Sequence, residues 1–172
     1  MKCQGSNDGV KMSGQCEGRP SIWDFARAFY AKDGVEADCL TAQNHFGLDV
    51  TALIFALHRS HLGQGFPASL AAGRARAMSE AVIIPLRTAR LALKSLQTHV
   101  AQDDVNALRQ RVKAVELDAE RLTLEALATL PKSEHPRDAY SALCAVSHHA
   151  HTPISLALDA LLKRLALQCE NM

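Results

Sequence analysis

The sequence predicts an all-α fold, a single-domain bundle of about seven helices that contains a long antiparallel helical hairpin. Alanine and leucine supply much of the 48% hydrophobic content, and aromatic residues make up only 5% of the chain. Aromatic and β-branched side chains favour strands, so their scarcity favours helix packing. Apolar residues also recur at three- and four-residue intervals, which is typical of helices that bury one face.

Composition divides the chain into two parts. Residues 1–19 are rich in Gly, Ser, Asn, Gln and Asp, and they hold too little apolar surface to offset the entropy lost on folding, so we expect a disordered tail. Residues 20–170 carry the helical pattern and are predicted to form one domain. The longest apolar run, residues 81–86, is far shorter than the roughly 20 residues that span a bilayer, and no signal-peptide pattern is visible. We therefore expect a cytoplasmic protein that does not associate with membranes.

Capping residues and glycines place the first three helices. Ser21, with Asp24 three residues later, forms a capping-box signature, and Gly34 is the predicted end of the first helix. A second helix is predicted over residues 35–46, and Asp49 is the predicted N-cap of a third. The apolar side of the third helix is predicted to consist of Val50, Leu53, Ile54, Leu57 and His61.

The hairpin follows a short helix predicted near residues 69–76. Pro85 lies inside the first arm and predicts a kink or a new helix start, because proline removes a backbone donor and clashes with the preceding turn. The second arm, residues 103–130, has no Gly or Pro. The stripes predicted to pack together are Val82, Leu86, Ala89, Leu93 and Leu96 on the first arm and Leu108, Val112, Val115, Ala119, Leu122 and Ala126 on the second.

Two further helices complete the predicted bundle. Pro136 is expected in the first turn of a helix over residues 137–149, and Thr152 with Pro153 is expected to begin the last helix. That last helix is amphipathic, and its leucines either pack on the protein's own core or serve a partner. The leucines are Leu158, Leu161, Leu162 and Leu165.

The hairpin also places four charged residues jointly. In an antiparallel hairpin that turns near residue 103, facing residues have numbers with a nearly constant sum, which sets Arg90 opposite Glu116 and Arg87 opposite Glu120. These side chains are predicted to flank the apolar seam as ion pairs that fix its register. The alternative is that they line, with Asp49, a pocket for an anion or a small polar ligand. A metal site at the two glutamates is disfavoured, because each has an arginine available.

Histidines and cysteines offer a second, weaker pattern. His58 and His61 are three residues apart, and Cys144 and His148 are four apart, so the two pairs would supply four zinc ligands if their helices met. The alternative is separate histidines on the surface or at helix ends. The five cysteines are irregularly spaced, which indicates reduced thiols rather than a disulfide framework. We expect no bound metal and no cofactor.

Motifs for catalysis and nucleic-acid binding are absent from the sequence. There is no GxSxG, HExxH, Walker or GxGxxG pattern. The formal net charge is +1, and no aromatic residues interleave with the basic ones, so nucleic-acid binding is not expected. Two hypotheses follow. The first is a non-catalytic protein-binding or regulatory module whose partner is another protein or a second copy; the second is an anion- or ligand-binding protein, or an enzyme, that uses the hairpin charges.

Two stretches of the sequence resemble the DUF2390 family of uncharacterised bacterial proteins. The first stretch provides Trp23, Asp24, Phe25, Tyr30, Gly34, Val35, Cys39, Leu40, Gln43, Gly47, Asp49 and Val50; the second provides Pro85, Leu86, Arg87, Arg90, Glu116, Leu117, Glu120 and Arg121. The likeness covers roughly residues 20–130. It implies an all-helical fold and no established activity, and it makes the hairpin charges part of the family's pattern.

Overall fold

A computed structural model describes residues 20–96, 101–133 and 135–172. The helices are α1 (Ile22–Tyr30), α2 (Val35–Phe46), α3 (Val50–His61), α4 (Ala68–Met78), α5 (Ile84–Ser95), α6 (Gln102–Ala128), α7 (Ala139–His149) and α8 (Leu156–Glu170). A π-helical segment, Ser79–Ile83, joins α4 to α5 without a break, so these residues form seven continuous helical bodies. The all-α prediction is confirmed. The predicted disordered tail, residues 1–19, lies outside the described residues.

Local capping signals set the starts of the first three helices as predicted. The Ser21 hydroxyl accepts a hydrogen bond from the Asp24 N–H, and the Asp24 carboxylate accepts one from the Ser21 N–H, which completes the capping box of α1. α2 has its predicted bounds. Asp49 Oδ1 accepts a hydrogen bond of 3.1 Å from the Ala52 N–H and caps α3.

The connection between α1 and α2 differs from the prediction. α1 ends at Tyr30, four residues before Gly34. Directly after the helix, the Lys32 N–H donates to the Phe29 carbonyl and closes a turn. Gly34 then adopts a φ of +80° as the N-cap of α2. This left-handed conformation suits glycine, so Gly34 marks the tight start of the second helix rather than the end of the first.

The last two helices begin later than predicted. α7 starts after Asp138, whose carboxylate accepts a hydrogen bond from the Ser141 N–H. α8 starts after Ser155 and not at Thr152 and Pro153. The Thr152 hydroxyl donates to the Phe46 carbonyl at the end of α2, and it is the Ser155 hydroxyl that accepts from the Leu158 N–H and caps α8.

α3 is the central helix of the bundle. Every residue from Thr51 to Arg59 is buried, and α1, α2, α4, α6, α7 and α8 all pack against it. Leu53, Ile54 and Leu57 are buried as predicted, but the helix is enclosed on all sides and not on one alone. Val50 is only half-buried and His61 is exposed.

The four leucines of α8 pack into the protein's own core. Each is at most 1% exposed, and α8 lies against α2, α3 and α7. Burial of a leucine side chain stabilises a fold by about 1.5–3 kcal/mol. Of the two roles that the sequence leaves open for these leucines, the structure supports the core role.

The α5–α6 hairpin has the predicted register but a different seam. No residue of α5 is buried, and the π-helical segment before it buries Ile83. By contrast, α6 buries Val105, Glu116, Ala119, Thr123, Leu124 and Leu127. The predicted seam residues Leu96, Leu108, Val115 and Leu122 are 42–52% exposed. Ala119 is buried as predicted, but the other seam residues are not, because α6 buries a side that also faces α1, α3 and α4. No helix in the described part of the chain is long and apolar enough to cross a membrane.

Candidate functional site

Four charged side chains join α5 to α6, and we call them the Arg–Glu cluster: Arg87, Arg90, Glu116 and Glu120. Arg90 Nε donates to Glu116 Oε2 at 2.5 Å, and Arg87 Nη2 donates to Glu120 Oε1 at 2.8 Å. Both pairs are those that the numbering predicts. Arg87 Nε also donates to Glu116 Oε1 at 2.8 Å, so Glu116 bridges the two arginines. The cluster therefore joins the two helices of the hairpin.

The two glutamates of the cluster have opposite pKa shifts. Burial acts to raise the pKa of Glu116, but hydrogen bonds and charge from Arg90 and Arg87 outweigh it and hold that pKa below its usual value. Burial and the negative charges of Glu116 and Asp49 raise the pKa of Glu120 despite its bond to Arg87. Glu116 is thus the firmly ionised anchor of the cluster, whereas the fold makes ionisation of Glu120 less favourable than in water.

A cleft of about 380 Å³ opens beside the cluster. Its walls come from α2, the start of α3, α4, the π-helical segment, α5, α6 and the end of α7. Apolar side chains such as Leu48, Ile83 and Val146 form part of the lining. The polar side chains in the lining are Gln43, Asn44, Asp49, Thr51, Arg76, Ser79, Glu80, Arg87 and Glu120.

The cleft includes part of the predicted site and adds residues that the sequence did not indicate. Arg87, Glu120 and Asp49 line it, whereas Arg90 and Glu116 do not and belong to the cluster behind the wall. Arg76, Ser79 and Glu80 were missed, as were the two amides of α2. The sequence signal nearest to them is Pro85, which predicted irregular helix in this region.

The π-helical segment has a local cause in the sequence. Proline has no N–H to donate and its ring clashes with the carbonyl four residues earlier, so a regular turn cannot precede Pro85. The Ile84 N–H bonds instead to the Ser79 carbonyl, five residues back. The wider turn places Ser79, Glu80 and Ile83 in the wall of the cleft. Single π-helical turns inside α-helices often mark functional sites.

The histidine and cysteine pairs do not assemble into a metal site. Within residues 20–96, 101–133 and 135–172, no three His, Cys, Asp or Glu side chains are placed to hold a metal ion. His58 is buried against the Phe25 ring, with centroids 5.1 Å apart, and neither of its ring nitrogens has a hydrogen-bond partner among those residues. Burial, with the charges of Arg59 and His61, lowers the pKa of His58 to about 4. His58 is therefore a neutral core residue.

We expect His58 to make the fold acid-sensitive. In the unfolded chain its pKa is near 6.5, so the unfolded state takes up a proton as the pH falls from 6.5 towards 4 and the folded state does not. The stability that the neutral ring contributes above pH 6.5 is lost across that window. Thermal unfolding at pH 7 and pH 5 should show a smaller loss of Tm in His58→Leu than in the wild type. The exposed His149→Leu variant is the control, and equal losses in all three proteins would contradict the assignment.

Comparison with known proteins gives one match. A family model described as a protein of unknown function, DUF2390, matches residues 21–127, which is more than half of the chain. The matched range contains all four residues of the Arg–Glu cluster and Asp49, in agreement with the resemblance seen in the sequence. No curated protein and no solved structure matches the chain.

Proposed function

Because the chain belongs to DUF2390, a family of proteins of unknown function, membership assigns no activity, and we propose from the cleft that the protein binds a small polar ligand there. The observation that carries the proposal is that Arg87, Glu120 and Asp49 meet in the wall of one cleft. Small-molecule sites are typically concave spaces of about 300–1,000 Å³ with an apolar lining and a few convergent polar groups. A volume of about 380 Å³ suits a molecule of metabolite size.

The cleft residues keep hydrogen-bonding capacity that the fold does not use. Arg87 donates through Nε and Nη2, and within the described residues Nη1 has no protein partner. Among the same residues, Glu120 accepts only through Oε1, and Asp49 uses Oδ1 to cap α3. One carboxylate oxygen of each acid is thus available to a ligand.

The charges of the lining favour a ligand that carries both signs. Three carboxylates and two guanidinium groups line the cleft, so neither a simple anion nor a simple cation would satisfy all of them. A carboxylate on the ligand suits the arginines, because guanidinium binds carboxylate through two parallel hydrogen bonds. A protonated amine suits the acids, and it would lower the raised pKa of Glu120. The proposed ligand class is therefore a small amino acid-like zwitterion.

Three four-carbon probes of equal length test this proposal: 4-aminobutanoate, 1,4-diaminobutane and succinate. At ten times its dissociation constant, a ligand specific for the folded state stabilises it by about 1.4 kcal/mol, which raises Tm by about 3–5 °C in a protein of this size. We expect 4-aminobutanoate to raise the Tm at lower concentration than the other two probes. If none of the three shifts Tm at millimolar concentration, the proposal is wrong.

Matched variants locate the effect. Asp49→Asn removes a charge and keeps a good N-cap, because asparagine caps helices as well as aspartate does. Glu120→Gln removes the second acid with little change of shape. Both variants should lose the probe-induced shift, whereas Glu125→Gln, on the exposed side of α6, should retain it. A shift that persists in both cleft variants would place binding elsewhere.

The structure does not strengthen the protein-binding role that the sequence favoured. That hypothesis used the leucines of the last helix as a partner surface, and all four are enclosed in the core. We therefore propose no partner for α8.

A further inference from the structure

The exposed side of α6 carries a regular row of large apolar side chains, Leu108, Val115 and Leu122, which we call the α6 row. They are 42%, 52% and 51% exposed. Seven residues make nearly two helical turns, so the three side chains lie on one side of the helix. Together they form an apolar strip about 21 Å long on the outside of α6.

Among the residues that the structure describes, none buries the α6 row, whose side chains stay about half exposed. α6 turns Glu116, Thr123 and Leu127 towards the body of the protein. Val115 is one residue from Glu116, which places it about 100° around the helix from that buried side. None of the three residues of the row lines the cleft or belongs to the Arg–Glu cluster, so a surface role here is independent of ligand binding.

Two opposite charges lie beside the row with the same seven-residue spacing. Arg111 and Asp118 are both exposed, and they are placed almost symmetrically about Val115. Arg111 forms no ion pair within the described residues, and the contact of Asp118 with Arg121 is a loose one of 3.6 Å. Both charges are therefore available to a partner.

We propose that the α6 row is covered by the α6 row of a second copy of this chain, with the two helices antiparallel about a two-fold axis near Val115. In that arrangement Leu108 lies opposite Leu122 of the second copy, and Val115 lies opposite its own counterpart. The axis also brings Arg111 opposite Asp118 of the second copy, twice in the dimer. An isologous interface requires this kind of self-complementary pattern.

The charges favour the antiparallel arrangement, and they favour self-association over a foreign partner. Arg111 and Asp118 lie on the same flank of the row, so in a parallel two-fold pair the charges of the two copies lie on opposite flanks of the interface and do not meet. A foreign partner would not require the row and its charges to be symmetric about one residue. The helix has 27 residues and is roughly 40 Å long, enough for several layers of contact.

Charge exchange tests the proposal. The wild type should have twice the monomer mass in light scattering at about 100 µM. Arg111→Asp and Asp118→Arg each place like charges at both contacts, so each protein alone should dimerise at least about 10-fold more weakly. An equimolar mixture of the two variants restores opposite charges at both contacts and should form a heterodimer.

Helix content and one further variant distinguish a lost interface from a lost fold. Far-UV circular dichroism should show unchanged helix content in both variants, because both positions are exposed. Val115→Lys, which disrupts the apolar centre, should be monomeric alone and in either mixture. A monomeric wild type would overturn the proposal, as would a dimer that is unchanged in both charge variants or a mixture that fails to associate.

Discussion

Replacement of Glu116 by glutamine is expected to lower the free energy of unfolding by about 2–3 kcal/mol. Glu116 is only 4% exposed and accepts hydrogen bonds from both Arg87 and Arg90. Removing one member of a buried ion pair leaves the other charge uncompensated, which typically costs about 3–5 kcal/mol. The arginines here remain partly exposed to water, so we expect a loss at or just below the lower end of that range.

Urea denaturation at pH 7 measures this loss, and the chain offers a matched control in Glu120→Gln. Within the described part of the chain, Glu120 accepts a hydrogen bond from Arg87 only, and burial already raises its pKa. Loss of its charge should therefore cost less than half as much as loss of the Glu116 charge. Equal losses in the two variants would contradict the role of Glu116 as the anchor of the cluster.

Glu116→Gln should also change how the stability of the protein depends on pH. The pKa of Glu116 is held below its ordinary value of 4.5, so the unfolded state binds a proton before the folded state as the pH falls. The stability from this group is present above pH 4.5 and is lost as the pH falls through the folded pKa. Unfolding free energies between pH 6 and pH 3 should fall less steeply in Glu116→Gln than in the wild type.

Replacement of Arg59 by methionine is expected to lower the free energy of unfolding by about 3 kcal/mol. Arg59 is buried on α3, and its Nη2 donates to the carbonyls of Ala128 at 3.0 Å and Leu130 at 2.6 Å. Its Nη1 donates to Gln64 Oε1 at 2.8 Å. The last carbonyls of a helix have no partner within the helix. Arg59 satisfies them at the end of α6 and so ties that helix to the core.

Arg59→Lys separates charge from geometry in this prediction. Lysine keeps the positive charge but lacks the planar fork that reaches three acceptors at once. The free energy of unfolding of Arg59→Lys should lie between those of the wild type and Arg59→Met. The control, Arg121→Met on the exposed side of α6, should change stability little. A loss below about 0.5 kcal/mol in Arg59→Met would show that the buried contacts contribute little.

The register of the hairpin could be predicted, but its packing could not. Antiparallel geometry alone sets Arg87 opposite Glu120 and Arg90 opposite Glu116, because residue spacing along a helix is fixed. Which side of α6 is buried depends on the helices that surround it. Leu108 and Val115 form a regular apolar stripe, yet the body of the protein packs against the side that contains Glu116.

The candidate site shows the same division. Asp49 could be identified as a cap and Arg87 and Glu120 as a pair, because each assignment needs only neighbours in sequence or one hairpin. The cleft itself is formed by residues from six helices and the π-helical segment, which lie far apart along the chain. Glu80 has no sequence signature, so its place in the wall was not predictable.

Local sequence was enough to predict the helices, the N-caps of α1 and α3, and the pairing of the hairpin charges, because these depend on spacing over a few residues and on fixed helical geometry. Tertiary packing decides that α3 is enclosed, that the leucines of α8 are core residues, and that the α6 row stays exposed. Burial is a property of all the neighbours that pack around a side chain. Those neighbours are brought together by long-range contacts that local periodicity does not encode.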